Sequence, residues 1–268
     1  MKKAFPIIFL TIMIAVMYLP IMMLVVYSFT DAPNIGPIHS FSMQNYVTLF
    51  TKDELKSMIF GTIVLALVSA LLATIFGTLG AIGAFYSKKG AASFIGSMNQ
   101  VPVVNADVVT GFSICILLIV TFNISKESYI PLVVGHTVLS APFVYLSVVP
   151  KLKQMDNSLY EAALDLGAKP AFALRKVVLP QIMPGVVSGF ALAITLSLDD
   201  YFIASYTKPA TFDTISTYVV NATKGSQTEI KTALWALSTV IFAIVILVVV
   251  AMNLTGKGDV NRRRREDA

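Results

Sequence analysis

The sequence predicts an all-α integral membrane protein with six transmembrane helices and both termini in the cytoplasm. Three observations support this prediction: the composition, six long apolar runs, and the placement of lysine and arginine. Hydrophobic residues make up 56% of the 268-residue chain and charged residues 13%, with a mean hydropathy of +0.77. Because soluble domains contain about 25% charged residues, the composition excludes an ordinary soluble domain.

The apolar runs define the expected spans, and residues 1–268 are expected to form a single transmembrane domain. Each run is long enough to cross a hydrocarbon core of about 30 Å at about 1.5 Å per residue. The first is longer than the apolar core of a signal peptide, about 7–15 residues, so it is expected to be a retained span. The third is interrupted near Pro102 and Asn105. The expected spans are residues 5–29, 58–86, 100–122, 129–149, 182–206 and 233–252.

Lysine and arginine are distributed unevenly between the two sides of this topology. An even number of spans places both termini on one side, and that side holds 14 of the 20 basic residues. The positive-inside rule therefore places both termini and the loop at 150–181 in the cytoplasm. Four consecutive arginines at 262–265 are interpreted as an anchor beside anionic membrane lipid, and nucleic acid is not an expected partner.

The loop at 150–181 contains a short amphipathic pattern. Ser158 is expected to be the N-cap of a helix, and Glu161 to complete a capping box. Small and apolar side chains would share one face of that helix, at spacings of three, four and seven residues. Such a face suits a groove on another protein, although a capped surface helix would show the same pattern. The face consists of Leu159, Ala162, Ala163 and Leu166.

Three carboxylates lie within the expected spans: Asp107, Asp199 and Asp200. A carboxylate at the membrane centre costs about 2.5–3.5 kcal/mol on insertion scales. No lysine or arginine occurs in any expected span, so the partner must be water, another subunit, a proton or a cationic substrate. We favour the cationic substrate. The alternatives are structural hydrogen bonding and, for the adjacent pair, a topological stop at the outer interface.

Asp199 and Asp200 adjoin aromatic residues whose faces also attract organic cations. Neighbouring side chains on a continuous helix diverge by about 100°. Either one carboxylate therefore faces the pathway and the other an outer vestibule, or the helix is locally unwound. The adjoining aromatic residues are Tyr201, Phe202 and Tyr206.

The sequence carries no pattern typical of an enzyme. Cys115 is the single cysteine, His39 and His136 are isolated, and no P-loop pattern occurs. His136 is expected to hydrogen-bond to a neighbouring helix. No cofactor is expected on this chain, so any ATP that its function needs must be used by another subunit. Three glycines in the second span are expected to provide a smooth face for helix packing, namely Gly77, Gly80 and Gly83.

Two sets of residues resemble a known family. Glu161-Ala162-Ala163, Gly167 and Val177-x-Leu179-Pro180 resemble the EAA signature of type I ABC importer permeases, with valine in place of the usual isoleucine. Three further stretches are similar to the second permease subunit of spermidine/putrescine importers. These are residues 105–109, 152–156 and 195–200.

The resemblance implies the type I ABC importer permease fold in a bacterial inner membrane and a division of labour among several proteins. A homologous companion permease would form a heterodimer with this chain, a cytoplasmic ATPase dimer would use ATP and Mg²⁺, and an extracellular binding protein would deliver a polyamine. The segment at Glu161 would be the coupling helix, seated in a groove of the ATPase. Gly167 would provide a glycine C-cap, Pro170 would begin a second short helix, and Leu179-Pro180 would end it.

Two other functions remain open at this point. One is import of a different small solute, such as another amine or a metal chelate, by the same kind of permease. The other is ion-coupled secondary transport, with Asp107 and Asp199 as proton or sodium sites.

Overall fold

The computed structural model describes residues 4–31, 40–224, 233–243 and 246, and within these residues its secondary structure is helical apart from one isolated antiparallel bridge, Thr30 to Phe41. The all-α prediction is therefore confirmed for the described residues. Two π-helical segments occur, of which Ile116–Thr121 continues α5 and Leu174–Val178 joins α8 to α9. The helices are α1 Ala4–Ser28, α2 Gln44–Thr51, α3 Asp53–Tyr86, α4 Lys89–Val104, α5 Asp107–Cys115, α6 Ile130–Gln154, α7 Ser158–Asp165, α8 Pro170–Ala173, α9 Leu179–Asp199, α10 Phe202–Thr207, α11 Ile215–Lys224 and α12 Ala233–Ala243.

Four helical stretches are long and apolar enough to cross a membrane, and they overlap the first, second, fourth and fifth expected spans. They are Ile8–Ser28, Asp53–Tyr86, Ile130–Gln154 and Pro170–Asp199. The bounds of the fifth, 182–206, were wrong, because the helix continues through Pro180 from Pro170 and breaks after Asp199. Of the sixth expected span, 233–252, the structure describes α12 and residue 246. The arginines at 262–265, interpreted above as an anchor, lie outside the described residues.

The third expected span is a bent helix pair. Helices α4 and α5 meet at an angle of 103°, so the expected interruption near Pro102 and Asn105 is confirmed. Pro102 lies inside α4, and the chain leaves helical geometry three residues later, where Asn105 is extended. The side-chain nitrogen Nδ2 of Asn105 donates a hydrogen bond to Thr110 Oγ1 at 2.9 Å, and this bond connects the break to α5.

The chain divides into two compact units, 1–56 with 219–268, and 57–218, and of the first the structure describes residues 4–31, 40–56, 219–224, 233–243 and 246. In the first unit, the side-chain amide of Asn45 donates to the carbonyls of Ser28 and Thr30, at 3.0 Å each. The ring of Tyr27 lies edge-on to Trp235 with centroids 5.5 Å apart. Helix α1 exposes apolar side chains all round, as a membrane-spanning helix does.

The second unit has its core between α3, α6 and α9. A Cβ placed on Gly189 would lie 3.0 Å from Val144 Cα, and one on Gly185 would lie 2.9 Å from the Ser147 carbonyl. These two glycines are four residues apart on α9, so they form a small-residue face that lets α9 lie close against α6.

Of the four glycines in α3, the three that were expected to form a packing face do not share one role. A Cβ on Gly77 would lie 2.7 Å from the Ala141 carbonyl of α6, so this glycine is needed for close packing as expected. Gly80 is in ordinary contact distance of Tyr145, and Gly83 faces open space. The expected face for helix packing is therefore confirmed at Gly77, whereas Gly83 packs on no other helix within the described residues.

Candidate functional site

Helix α9 ends at Asp199, and the chain is extended at Asp200 (φ −65°, ψ 125°) before α10 begins at Phe202. Of the two arrangements that the sequence left open for this pair, local unwinding is the one observed. The break gives the adjacent carboxylates different environments, because Asp199 is exposed and Asp200 is only 8% exposed.

The buried carboxylate of Asp200 is held by the backbone of α10. It accepts hydrogen bonds from the N–H groups of Ile203 at 3.2 Å and Ala204 at 2.7 Å. It therefore caps the N-terminal turn of α10, where a negative charge is favourable. The backbone carbonyl of Asp200 also accepts a bond from the Ser216 hydroxyl. Asp200 thus has structural hydrogen bonding, one of the alternatives weighed for these carboxylates.

Asp107 and Asp199 are exposed residues at two other helix ends. Asp107 is the first residue of α5 and Asp199 the last of α9. Within the part of the chain that the structure describes, no protein hydrogen bond reaches either carboxylate. Both lie close enough to Asp200 to interact with it electrostatically. Three carboxylates are therefore grouped where the two helix breaks adjoin.

Close packing of α5 against α10 brings the two breaks together. A Cβ on Gly111 would lie 3.0 Å from Ile203 Cα, so any larger residue would push the two helices apart by a few tenths of an ångström. The rings of Phe112 and Tyr206 meet edge-on with centroids 5.9 Å apart. Sequence reasoning missed Gly111 and Phe112, because nothing in the pattern of α5 shows which helix it contacts.

Aromatic rings border the carboxylates. Tyr201 and Phe202 lie edge to face with centroids 5.3 Å apart, and Phe202 and Tyr206 are exposed. Aromatic faces attract cations and also pack against methylene groups. The arrangement can therefore bind a flexible organic cation through both its charge and its carbon chain.

A buried polar chain lies behind the break. His136 Nδ1 is 2.7 Å from Ser197 Oγ, which is 3.1 Å from Ser69 Oγ. The expected hydrogen bond from His136 to a neighbouring helix is therefore confirmed, with α9 as the neighbour. The other ring nitrogen, Nε2, lies 3.6 Å from Asp200 Oδ2.

The predicted capping box at the start of α7 is wrong. Ser158 is the first helical residue, and its N–H donates to Asp156 Oδ1 at 2.9 Å. Glu161 Oε1 instead accepts a bond from the Asn157 side chain at 2.9 Å. Hydrogen bonds from the hydroxyl and the backbone N–H of Ser158 hold the pKa of Asp156 below its ordinary value. Asp156 thus supplies the side-chain acceptor that Ser158 was expected to supply.

The glycine cap at the end of α7 is confirmed. Gly167 has φ +84°. Its N–H donates to the Leu164 carbonyl at 2.9 Å, and the N–H of Ala168 donates to the Ala163 carbonyl at 3.1 Å. These two bonds and the positive φ define a Schellman motif, which turns the chain sharply after α7.

Helix α7 presents an open apolar face. Leu159 is 50% exposed, Leu166 is 89% exposed, and Ala162 is exposed between them, whereas Ala163 is half-buried. The ring of Tyr160 packs against Tyr86 at the end of α3, with centroids 4.8 Å apart. Helix α7 is therefore held against the end of α3 through Tyr160, and its apolar side is uncovered.

Leu179-Pro180 does not end a helix, contrary to expectation. The chain stays helical from Pro170 to Asp199, with the π-helical segment Leu174–Val178 just before the proline. Proline lacks an N–H and usually interrupts the ladder of hydrogen bonds. Here the hydrogen bond that Pro180 cannot donate falls at the junction between the π-helical segment and α9, so the helix is not interrupted. Gln181 Nε2 also donates to the Val177 carbonyl at 3.0 Å.

An apolar cavity of about 400 Å³ lies elsewhere in the second unit, among α3, α4 and α6. Its walls include Phe76, Phe94, Met98 and Tyr145, and no carboxylate is among its lining residues. It therefore does not suit a polycation.

Comparison with known proteins agrees with this architecture. Residues 97–256 match the family described as the binding-protein-dependent transport system inner membrane component. The spermidine/putrescine transport permease PotC of Escherichia coli is 28% identical, with 93% of this chain and 92% of that protein covered. The putrescine transport permease PotI of the same species is 30% identical, with 92% and 89% covered. PotC of Haemophilus influenzae is 29% identical, with 92% and 94% covered.

Solved structures share the fold at lower sequence identity. A chain of a bacterial ABC transporter for the acidic polysaccharide alginate superposes with a TM-score of 0.69 at 18% identity, covering 93% of this chain and 94% of that one. A chain of the methionine transporter MetNI gives 0.56 at 14% identity, covering 74% and 95%. The chain belongs to the binding-protein-dependent transport system inner membrane components and is a multi-pass permease subunit of a type I ABC importer in the bacterial inner membrane.

Proposed function

We propose that this permease imports polyamines of the spermidine and putrescine class. The observation that carries this proposal is the similarity to PotC and PotI, which are 28–30% identical over about nine-tenths of the chain. The structural neighbours include transporters of alginate and methionine, and their low identity bears on the fold alone.

The chemistry of the candidate site supports a cationic cargo. Asp107 and Asp199 are exposed beside the buried Asp200, and no lysine or arginine occurs in the expected spans. A negatively charged cargo such as an acidic polysaccharide would be repelled by this group. A polyamine offers separated ammonium groups for the carboxylates and methylene groups for Tyr201 and Phe202. The two other functions considered above have no comparable observation in their favour.

Helix α7 and its cap are the proposed contact with an ATPase. The open face formed by Leu159, Ala162 and Leu166 would enter a groove of the ATPase, and Glu161 would lie at its edge. Tyr160 would carry movement of α7 to Tyr86 and α3, while Leu179 and Pro180 lie on the continuous helix that leads to the carboxylates. ATP binding and hydrolysis would then shift the permease between its two access states.

The partners follow from this division of labour. A companion permease would complete the pathway, two ATPase subunits would bind ATP and Mg²⁺, and an extracellular binding protein would deliver the polyamine. This chain would be a transport subunit and not an enzyme, with no cofactor of its own.

Competition tests the cargo directly. The complete importer is reconstituted in vesicles with its ATPase and binding protein, and uptake of labelled spermidine is measured against excess putrescine, methionine or an alginate oligosaccharide. We expect putrescine to compete, and methionine and alginate to have no effect. Uptake that methionine or alginate suppresses as strongly as putrescine would contradict the polyamine assignment.

A further inference from the structure

The cavity among α3, α4 and α6 is a groove with apolar walls that opens to the surface of the second unit. Its volume is about 400 Å³, and three of its lining side chains, Phe76, Phe94 and Met98, are each at least 50% exposed. All three helices belong to segments that are apolar enough to cross a membrane. The groove therefore suits an apolar occupant, which is either a membrane lipid or another protein.

A buried hydroxyl distinguishes these two occupants. Tyr145 lines the groove and is only 9% exposed, and its hydroxyl oxygen would lie 3.7 Å from a Cβ placed on Gly96 of α4. Within the described residues no protein hydrogen bond reaches this hydroxyl, which is costly for a buried polar group. The backbone carbonyls of a membrane helix are already bonded within that helix, whereas the ester carbonyls of a phospholipid are available as acceptors. The hydroxyl thus favours a phospholipid.

Positive charge lies at the end of the groove that is expected to face the cytoplasm. Lys88 precedes α4 and Lys89 is its first residue; both are exposed, and neither forms an ion pair with any residue that the structure describes. No side chain caps α4, so its first N–H groups are also available to an anion. These charges complement a phospholipid whose headgroup is anionic.

The spacing along α4 matches the dimensions of a phospholipid. Phe94 is five residues from Lys89, which corresponds to about 8 Å along a helix, and Met98 is nine residues away, about 14 Å. The headgroup layer of a bilayer leaflet is roughly 5–8 Å deep. A phosphate at Lys89 would therefore place the acyl chains beside Phe94 and deeper, which is where the groove lies.

We propose that this groove binds one anionic phospholipid from the inner leaflet. The phosphate lies at Lys88, Lys89 and the N-terminus of α4, an ester carbonyl accepts the Tyr145 hydroxyl, and an acyl chain fills the groove. Basic pockets between membrane helices on the cytoplasmic side are suited to anionic headgroups. The proposal depends neither on the cargo nor on ATP.

One matched pair of variants tests the acyl chain. Gly80→Phe places a ring in the groove, and a Cβ at this position lies at an ordinary 3.8 Å from the Tyr145 ring. Gly83→Phe adds the same ring three residues further along α3, where an added Cβ meets open space and where no lining residue of the groove lies. The first variant blocks the groove, and the second controls for a bulky residue in α3.

A second matched pair tests the headgroup. The double variant Lys88→Gln, Lys89→Gln removes both charges beside the groove. Its control, Lys153→Gln, Lys176→Gln, removes two other exposed lysines of the loop at 150–181 and its borders. Both double variants lower the net charge by the same amount, so a difference between them reports the position of the charges.

Native mass spectrometry of the complete importer in detergent supplies the measurement, with phosphatidylglycerol or phosphatidylcholine of identical acyl chains added in a titration. We expect the first phosphatidylglycerol to bind more tightly than the first phosphatidylcholine. Its Kd should rise about ten- to thirtyfold in the Lys88, Lys89 variant. Gly80→Phe should weaken binding of both lipids, and both control variants should bind as the unmodified protein does.

Three outcomes would overturn the proposal. The first is equal binding of phosphatidylglycerol to the unmodified protein and to both test variants. The second is an equal loss in the test and control variants, which would mean that the site is not at this groove. The third is dissociation of the companion permease from the Gly80→Phe importer with phosphatidylglycerol binding unchanged, because the groove would then be covered by protein. None of these readouts uses the cargo, so they remain valid whichever solute the competition experiment assigns.

Discussion

Asp199 and Asp200 are adjacent in the chain, but their carboxylates lie in different environments: that of Asp199 is exposed and that of Asp200 is buried. The backbone leaves helical geometry at Asp200, whose carboxylate then caps α10, while Asp199 remains exposed at the end of α9. A charge exposed beside aromatic rings can bind a cation, whereas a charge used as a cap is already compensated. The division between structural and cargo-facing carboxylates therefore depends on one set of backbone dihedrals.

Asp199→Asn tests this division at a single residue. Removing the exposed charge weakens attraction of a polycation, and we expect the KM of spermidine uptake to rise about five- to tenfold. Thermal stability should change little, because the Asp199 side chain makes no protein hydrogen bond within the described residues. Glu127→Gln removes another exposed carboxylate, from the loop before α6, and serves as the control. An unchanged KM in Asp199→Asn would remove Asp199 from the site.

Sequence reasoning located the carboxylates but could not assign their roles. Acidic residues stand out in apolar spans because they are costly there. Asp200 accepts hydrogen bonds from Ile203 and Ala204, and its carboxylate lies 3.6 Å from Nε2 of His136, which is 64 positions away in the chain. Contacts at that separation leave no periodic trace in a single sequence.

At the scale of elements, α7 combines a stable cap with an uncovered apolar face. The Schellman motif at Gly167 fixes where the helix ends, and the Tyr160 ring fixes how it lies against α3. Leu159 and Leu166 are then presented together on the open side. These features suit a helix whose binding surface must keep its shape while the rest of the protein moves.

Gly167→Ala tests the cap. The residue has a positive φ, where a side chain costs about 1–2 kcal/mol, although no atom would clash with an added Cβ. We expect weaker association with the ATPase and slower ATP-driven uptake. Gly83→Ala is the matched control, since this glycine is also in open space but lies within helix α3. Loss of ATPase association that is equal in both variants would contradict a specific role for the cap.

The elements themselves were largely predictable, and their ends were not. Long apolar runs identified the spans, and the glycine after α7 identified its C-cap. The N-cap prediction failed because Asp156, Asn157 and Ser158 are all good capping residues, and composition alone cannot choose among them. The prediction that the helix ends at Leu179-Pro180 was wrong. The backbone hydrogen bond that Pro180 cannot donate falls at the junction of the π-helical segment and α9, so the chain remains helical there.

At the scale of the whole chain, two breaks in membrane helices meet in one region of the second unit. One follows α4, where the chain bends by 103°, and the other follows α9. Discontinuous helices are tolerated in membranes where they line a cavity or pack on protein. The prolines and polar residues in the sequence indicated such breaks, but their meeting depends on the close approach of α5 to α10 at Gly111.

We propose that this permease moves a polyamine with energy from an ATPase bound at α7. The direct measurement is accumulation of labelled spermidine in vesicles that contain the complete importer, with ATP supplied on the ATPase side. We predict accumulation that requires ATP and that persists when proton and sodium gradients are abolished. Accumulation driven by an ion gradient through this chain alone, without ATP or the ATPase, would contradict the account.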